Sequence, residues 1–129
     1  AMATISPTNP LADTTNDLSP NGDESVRLFQ WANLTTNDVG APIPFTQWAD
    51  RTVQMTGTWG GATCVLEGSL DGTNYFTLTD PQTTAISKTA DALEAVTEIT
   101  RFVRPKVTGG TTPSITVMLL VRRQQPIRV

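Results

Sequence analysis

The sequence predicts an all-β fold, an antiparallel β-sandwich of jelly-roll type with about six to eight short strands. Threonine, a β-branched residue that favours strands, is the commonest residue, whereas charged residues make up only 16% of the chain. Segments that alternate polar and apolar residues are separated by turn signals roughly every 8–12 residues. This spacing is typical of β-sandwiches and small β-barrels.

The chain has 129 residues, which is the size of one ordinary domain. Composition divides it into three regions. We expect an extended N-terminal arm over residues 1–25, the β-sandwich over residues 26–123 and a short basic C-terminal tail over residues 124–129. Ala1, which precedes a methionine, has the pattern of a scar left by tag removal, and we give it no functional role.

The N-terminal arm is rich in Pro, Thr, Asn and Asp and has no periodic apolar face. Its prolines disfavour a helix and favour extended chain. We expect the arm to be loose in the monomer and to gain order on a partner. A purely solvated tail needs no apolar residues, so we expect four arm residues to contact that partner: Ile5, Pro7, Pro10 and Leu11.

Within the domain, the clearest strand patterns cover residues 26–34, 51–57, 62–68, 75–79, 100–108 and 114–121. The segments 51–57 and 62–68 are separated by a glycine-rich turn, which predicts a β-hairpin with a four-residue connection. Residues 90–98 have helical preference, and a short helix, a turn or a loop is compatible with them. Pro105 cannot donate a backbone hydrogen bond, which predicts an edge strand or a bulge there.

Residues needed for familiar catalytic and metal sites are missing from the sequence. There is no histidine and one cysteine, which excludes Ser-His-Asp catalysis, a Cys-His pair and a structural zinc cage. Cys64 lies in an apolar strand and is expected to be an inert core residue. We expect Asp71 and Asp80 to stabilise turns. A glycosidase pair, or a calcium site at residues 71–74, is the weaker alternative. No enzyme activity and no cofactor are expected.

Three further residues are candidate partner contacts. Trp59 lies in the predicted hairpin turn, where an exposed indole could fill a partner's pocket, whereas Trp31 is expected in the core. Arg122 and Arg123 belong to a basic C-terminal stretch, since residues 101–129 contain six bases and no acid. Head-to-tail pairing of subunits and simple proximity within one fold both explain this asymmetry. The chain is acidic overall, so nucleic acid is not an expected partner.

Several short segments of the sequence occur together in a known kind of protein. They are FQWANL at 29–34, NDVG at 37–40, DRTVQMTGTWG at 50–60, VLEGSLDGTNY at 65–75 and RFVRP at 101–105. Together they resemble small structural proteins encoded among the head genes of tailed bacteriophages, over roughly residues 26–122. This group includes capsid decoration, or cement, proteins. The resemblance implies a β-rich, often trimeric protein that binds outside the capsid shell, and it implies no catalytic residues.

The residue patterns and the resemblance to phage head proteins together predict one function. The chain is expected to be a virion structural protein, a capsid decoration protein on the outer surface of the phage head. Its expected partners are the major capsid protein and copies of itself in a homotrimer. No apolar run reaches the length that spans a membrane, and no signal-peptide pattern is present, so no membrane partner is expected. The alternative is a carbohydrate-binding or adhesion module of a phage tail that uses Trp59.

Overall fold

A computed structural model describes residues 4–8, 26–44 and 49–122. These residues form β-strands joined by turns and loops, and no membrane-spanning helix is found among them. The strands are β1 (Thr4–Ile5), β2 (Val26–Leu34), β3 (Val39–Gly40), β4 (Asp50–Thr58), β5 (Thr63–Ser69), β6 (Phe76–Thr77), β7 (Ser87–Lys88), β8 (Ala92–Val96), β9 (Phe102–Thr108) and β10 (Ser114–Arg122).

The strands form two sheets that pack around a shared core. The first sheet has the order β1-β3-β9-β5-β6, with β7 also paired to β5, and the second has the order β2-β10-β4-β8. All neighbouring strands are antiparallel except β1 and β3. Short connections lead from β2 to β3, β4 to β5, β7 to β8 and β9 to β10, and each crosses between the sheets. The predicted antiparallel β-sandwich is confirmed.

The predicted hairpin of residues 51–68 is wrong, because β4 and β5 belong to different sheets. Strand β4 pairs along its whole length with β10, and β5 pairs along its whole length with β9. Each of these strands has one apolar face, which an isolated hairpin would leave uncovered. Crossing between the sheets turns the two apolar faces toward each other. The β4–β5 and β9–β10 connections lie side by side, and Thr111 N–H donates to Gly60 O at 2.9 Å.

The segment with helical preference, residues 90–98, contains the strand β8 instead of a helix. Strand β8 pairs with β4 from Arg51↔Val96 to Met55↔Ala92. A segment this short gains little from forming a helix on its own. The exposed edge of β4 offers it backbone hydrogen bonds, and these tertiary contacts override a weak local preference.

Pro105 lies inside the first sheet, between β3 and β5, so the edge position predicted for it is wrong. The alternative, a bulge, is present on the neighbouring segment. Val39 pairs with Lys106, and Ile43 pairs with Val103. The chain advances by four residues from 39 to 43 while β9 advances by three, so the first segment contains one extra residue. A Cβ added to Gly40 would lie 2.5 Å from Pro105 Cδ. The pyrrolidine ring therefore occupies space that any side chain at position 40 would need.

The core consists of alternate residues from both sheets. Strands β4, β9 and β10 each alternate buried and half-buried positions, so the inward-facing set predicted from the pattern, including Val53 and Met55, is confirmed. Trp31 is fully buried, as predicted, and its indole Nε1–H donates to Ala41 O at 3.0 Å. The largest side chain of the core is thus held by packing and by one hydrogen bond.

The described part of the N-terminal arm is extended but is not loose. Thr4 and Ile5 pair with β3, and Thr8 exchanges two backbone hydrogen bonds with Gln30 of β2, at 2.8 and 2.7 Å. Ile5 packs against the core. Strand edges carry unpaired N–H and C=O groups, and residues 4–8 cover such groups on one side of both sheets. The expectation that the arm is loose in the monomer is wrong for these residues.

Candidate interaction surfaces

The arm residues predicted to contact a partner are only partly accessible. Ile5 and Pro7 are both half-buried, and Ile5 packs against the core, so most of the apolar surface of Ile5 is used within the fold. Pro10 and Leu11 lie outside the described residues. The contact role of these four residues stays a prediction, and for Ile5 the structure adds a stabilising role that explains why the arm contains an apolar residue there.

Trp59 lies in the crossover between β4 and β5, where it is half-buried and packs against the core. Its Nε1–H donates to Asp91 Oδ1 at 2.8 Å, and the same oxygen accepts the Gly57 N–H at 3.2 Å. Because one carboxylate accepts both hydrogen bonds, it links the end of β4 and the start of the crossover to the segment before β8. Trp59 therefore has a structural role, and its role as a partner contact stays a prediction.

Arg122, at the end of β10, is exposed and pairs with Asp50 Oδ2 through Nε at 3.2 Å and Nη2 at 2.8 Å. Arg104 likewise pairs with Glu67 Oε1 at 3.0 Å. Each pair joins a base of the C-terminal stretch to an acid from earlier in the chain. For these two arginines, the charge asymmetry reflects proximity within one fold. Arg123 lies outside the described residues, and the contact role of both Arg122 and Arg123 stays a prediction.

An apolar groove that the sequence did not reveal lies beside β6. Leu70 and Phe76 are each 71% exposed, and Ile99 is 57% exposed. We name it the Phe76 groove, a depression of about 420 Å³ lined by Gly68, Leu70, Phe76, Leu78, Glu98 and Thr100. Ile99 lies between two of these residues in the chain but lines a different depression, with Arg51 and Val96. Exposed apolar side chains gathered around a depression are typical of surfaces that bind another protein.

The position of Phe76 explains why its exposure was not foreseen. It lies two residues from Leu78 and therefore on the same face of the chain, and Leu78 is buried in the core. Alternation within residues 75–79 consequently predicts that both side chains face the core. Phe76 pairs with Gly68, close to the end of β5, yet its side chain is 71% exposed.

The turn roles predicted for Asp71 and Asp80 are confirmed. Asp71 Oδ1 accepts the N–H groups of Thr73 and Asn74, both at 2.8 Å. Asp80 Oδ1 accepts those of Gln82 at 2.9 Å and Thr84 at 3.0 Å. Both carboxylates are thus used to close turns, and no cluster of three metal-ligating side chains is found among the described residues.

The pKa of the Asp71 carboxyl is held well below its ordinary value, first by the backbone N–H of Asn74, then by that of Thr73, and then by the side chains of Asn74 and Ser69. A pKa lowered in the folded state stabilises the protein above the unfolded-state pKa, about 4, and this contribution is lost as the pH falls. We expect the wild type to exceed Asp71→Asn in urea midpoint at pH 6, and the difference to shrink steadily as the pH falls below about 4. A pH-independent difference would contradict this account.

Cys64 is fully buried, and burial raises the pKa of its thiol to about 12. Thiolate is the reactive form of cysteine, so a thiol that stays protonated inside the core is chemically inert. The prediction that Cys64 is a core residue is confirmed.

Comparisons with known proteins connect the chain to solved folds. No protein-family model matches the sequence, and no curated protein matches it. The fold is similar to that of the SPBc2 prophage-derived protein YomS, with a TM-score of 0.56 and 13% identity, covering 74% of this chain and 93% of YomS. A cupin domain from Bordetella pertussis Tohama I aligns with a TM-score of 0.46 and 11% identity, over 95% and 97% of the two chains. The likeness to YomS, a prophage-derived protein, is one of fold.

Proposed function

We propose that this protein is a non-enzymatic structural component of a tailed-phage particle, a decoration protein that binds the outer surface of the head. Its partners under this proposal are the major capsid protein and copies of itself, in a trimer. The observation that carries the proposal is the Phe76 groove. It presents two apolar side chains, Leu70 and Phe76, that are each 71% exposed.

The cost of exposing these side chains supports an assembly role. A large apolar side chain contributes about 1.5–3 kcal/mol when it is fully buried, and the monomer leaves Leu70 and Phe76 largely in water at this groove. Burial of such a cluster against a partner is the dominant favourable contribution in most protein associations. A trimer with closed three-fold symmetry, bound at a three-fold site of the capsid shell, would make the same apolar contact through each of its three subunits.

Two observations support the phage assignment. The sequence segments 29–34, 37–40, 50–60, 65–75 and 101–105 resemble small head proteins of tailed phages. The fold is similar to that of YomS, which derives from a prophage. The adhesion alternative depended on a free Trp59, but that indole donates to Asp91 and packs against the core, so no observation favours it.

A capsid-binding experiment tests the proposal. Heads of the source phage that lack this protein are incubated with the purified chain, and bound protein is quantified after sedimentation. We expect the wild type to bind in a fixed ratio to the major capsid protein. Phe76→Ser removes the most exposed aromatic ring of the groove, and we expect it to weaken binding by about tenfold or more while circular dichroism stays unchanged.

Leu93→Ser is the matched control, because Leu93 is 65% exposed and lies on the other sheet, in β8. We expect this variant to bind heads as the wild type does. Equal binding by Phe76→Ser and the wild type would refute the role of the groove, and failure of the wild type to bind heads would refute the decoration role. Light scattering at the same time tests for a trimer, at three times the 13.9 kDa chain mass.

A further inference from the structure

A second groove lies on the outer face of the first sheet. It has a volume of about 450 Å³, and its polar lining residues are Thr4, Tyr75, Arg104 and Lys106. We name it the Lys106 groove. Tyr75 and Phe76 are adjacent in the chain, so their side chains point to opposite sides, and the two grooves are different surfaces. No residue that lines the Lys106 groove is acidic.

Among the described residues, the lysine of this groove has no counter-charge. The chain has two lysines, and they differ in their surroundings. Lys88 Nζ forms an ion pair with Glu94 Oε2 at 2.6 Å. Lys106 is half-buried, and across the described ranges no carboxylate lies within ion-pair distance of it. Partial burial of an unpaired ammonium costs free energy that an anionic ligand would offset.

Arg104 adds a second, oriented cation to the same face. Its Nε–H donates to Glu67 Oε1 at 3.0 Å, and its guanidinium carbon lies 3.7 Å from the centre of the Tyr75 ring. These two contacts fix the plane of the guanidinium. In the described part of the chain, no hydrogen bond uses its Nη1 or Nη2. A fixed guanidinium edge with free N–H donors fits the two oxygens of a carboxylate.

The spacing of the two cations specifies the ligand further. Arg104 and Lys106 are at positions i and i+2 of β9, on one face and about 6.5–7 Å apart along the strand. Acidic residues at alternate positions of an extended peptide have the same separation. The hydroxyl groups of Tyr75 and Thr4 are further donors at the groove.

We propose that the Lys106 groove binds an extended acidic segment of a partner protein, with one carboxylate on Arg104 and a second, two residues away, on Lys106. This inference adds a second, electrostatic contact to the assembly role proposed above, and it rests on that role only for the existence of a protein partner. The Phe76 groove supplies apolar burial, while the Lys106 groove supplies charge recognition and register.

The test uses the complete chain and three synthetic peptides. The first is acetyl-Thr-Glu-Thr-Glu-Thr-amide, the second replaces both Glu residues with Gln, and the third places the two Glu residues side by side. Binding is followed by NMR through the backbone amide shifts of β9. We expect the first peptide to bind with an affinity that falls as salt rises, the Gln peptide to show no binding, and the third to bind more weakly.

Lys106→Gln and Lys88→Gln form a matched pair of variants. We expect Lys106→Gln to weaken binding of the first peptide by about three- to tenfold, and Lys88→Gln to leave it unchanged. Equal binding of the Glu and Gln peptides, or equal loss in the two lysine variants, would overturn the proposal. Failure here, with head binding retained in the capsid experiment, would overturn this groove's role and leave the decoration role standing.

Discussion

Replacing Trp31 with alanine is expected to lower the free energy of unfolding by about 3–5 kcal/mol. Trp31 is fully buried and is the largest side chain of the core. Its removal leaves a cavity bounded by both sheets, because closely packed strands collapse only partly into the space. Ala41 O also loses its donor, the indole Nε1–H at 3.0 Å. Urea unfolding followed by far-ultraviolet circular dichroism measures the loss.

Two further variants separate the contributions at position 31. Trp31→Phe keeps an aromatic ring but leaves Ala41 O without its indole donor, so we expect an intermediate loss of about 1–3 kcal/mol. Leu93→Ala is the control at an exposed apolar site, where a change within about 0.5 kcal/mol is expected. A loss below about 1 kcal/mol for Trp31→Ala would show that this residue does not hold the two sheets together.

Gly60→Ala is expected to lower the free energy of unfolding by about 2–5 kcal/mol. Gly60 has a φ of 55° and lies in the β4–β5 crossover, beside the crossover from β9 to β10. A Cβ at this position would lie 2.3 Å from Thr111 O, which is a backbone atom. Backbone cannot rotate away as a flexible side chain can, so the two crossovers must separate and lose the Thr111-to-Gly60 hydrogen bond.

The neighbouring Gly61 provides the matched control. It has a φ of 88°, yet a Cβ there would meet no atom within 4 Å. Gly61→Ala therefore carries only the strain of a left-handed backbone, about 1–2 kcal/mol. The difference between the two variants, measured by urea unfolding, isolates the close approach of the crossovers. Equal losses would mean that backbone strain alone explains the need for glycine at position 60.

Several local features of the fold were predictable from the sequence. Alternation in residues 51–57 and 114–121 identified inward-facing side chains such as Val53 and Met55, because one face of each strand has to be apolar. Asp71 and Asp80 were assigned to turns because an aspartate oxygen can accept nearby backbone N–H groups. Burial of Cys64 followed from its apolar neighbours.

The candidate surfaces were much less predictable. Phe76 is 71% exposed, whereas the same alternation that buries Leu78 predicts burial of both residues. Within residues 4–8, 26–44 and 49–122, Lys106 has no counter-charge, and this depends on which acids lie nearby in space, since Glu67 pairs with Arg104 and Glu94 pairs with Lys88. Trp59 appeared to be a surface residue from its turn position, but Asp91 and the core hold it in the fold.

The sequence by itself determined the β-sandwich class, the inward faces of the main strands and the turn aspartates, because these depend on residue periodicity and on contacts within a few residues. Only the tertiary structure decided which strands pair. It placed β4 and β5 in different sheets and made a strand of residues 92–96. It also docked residues 4–8 beside β3 of the first sheet and β2 of the second. These outcomes depend on backbone hydrogen bonds and burial between segments far apart in the chain, which local patterns do not encode.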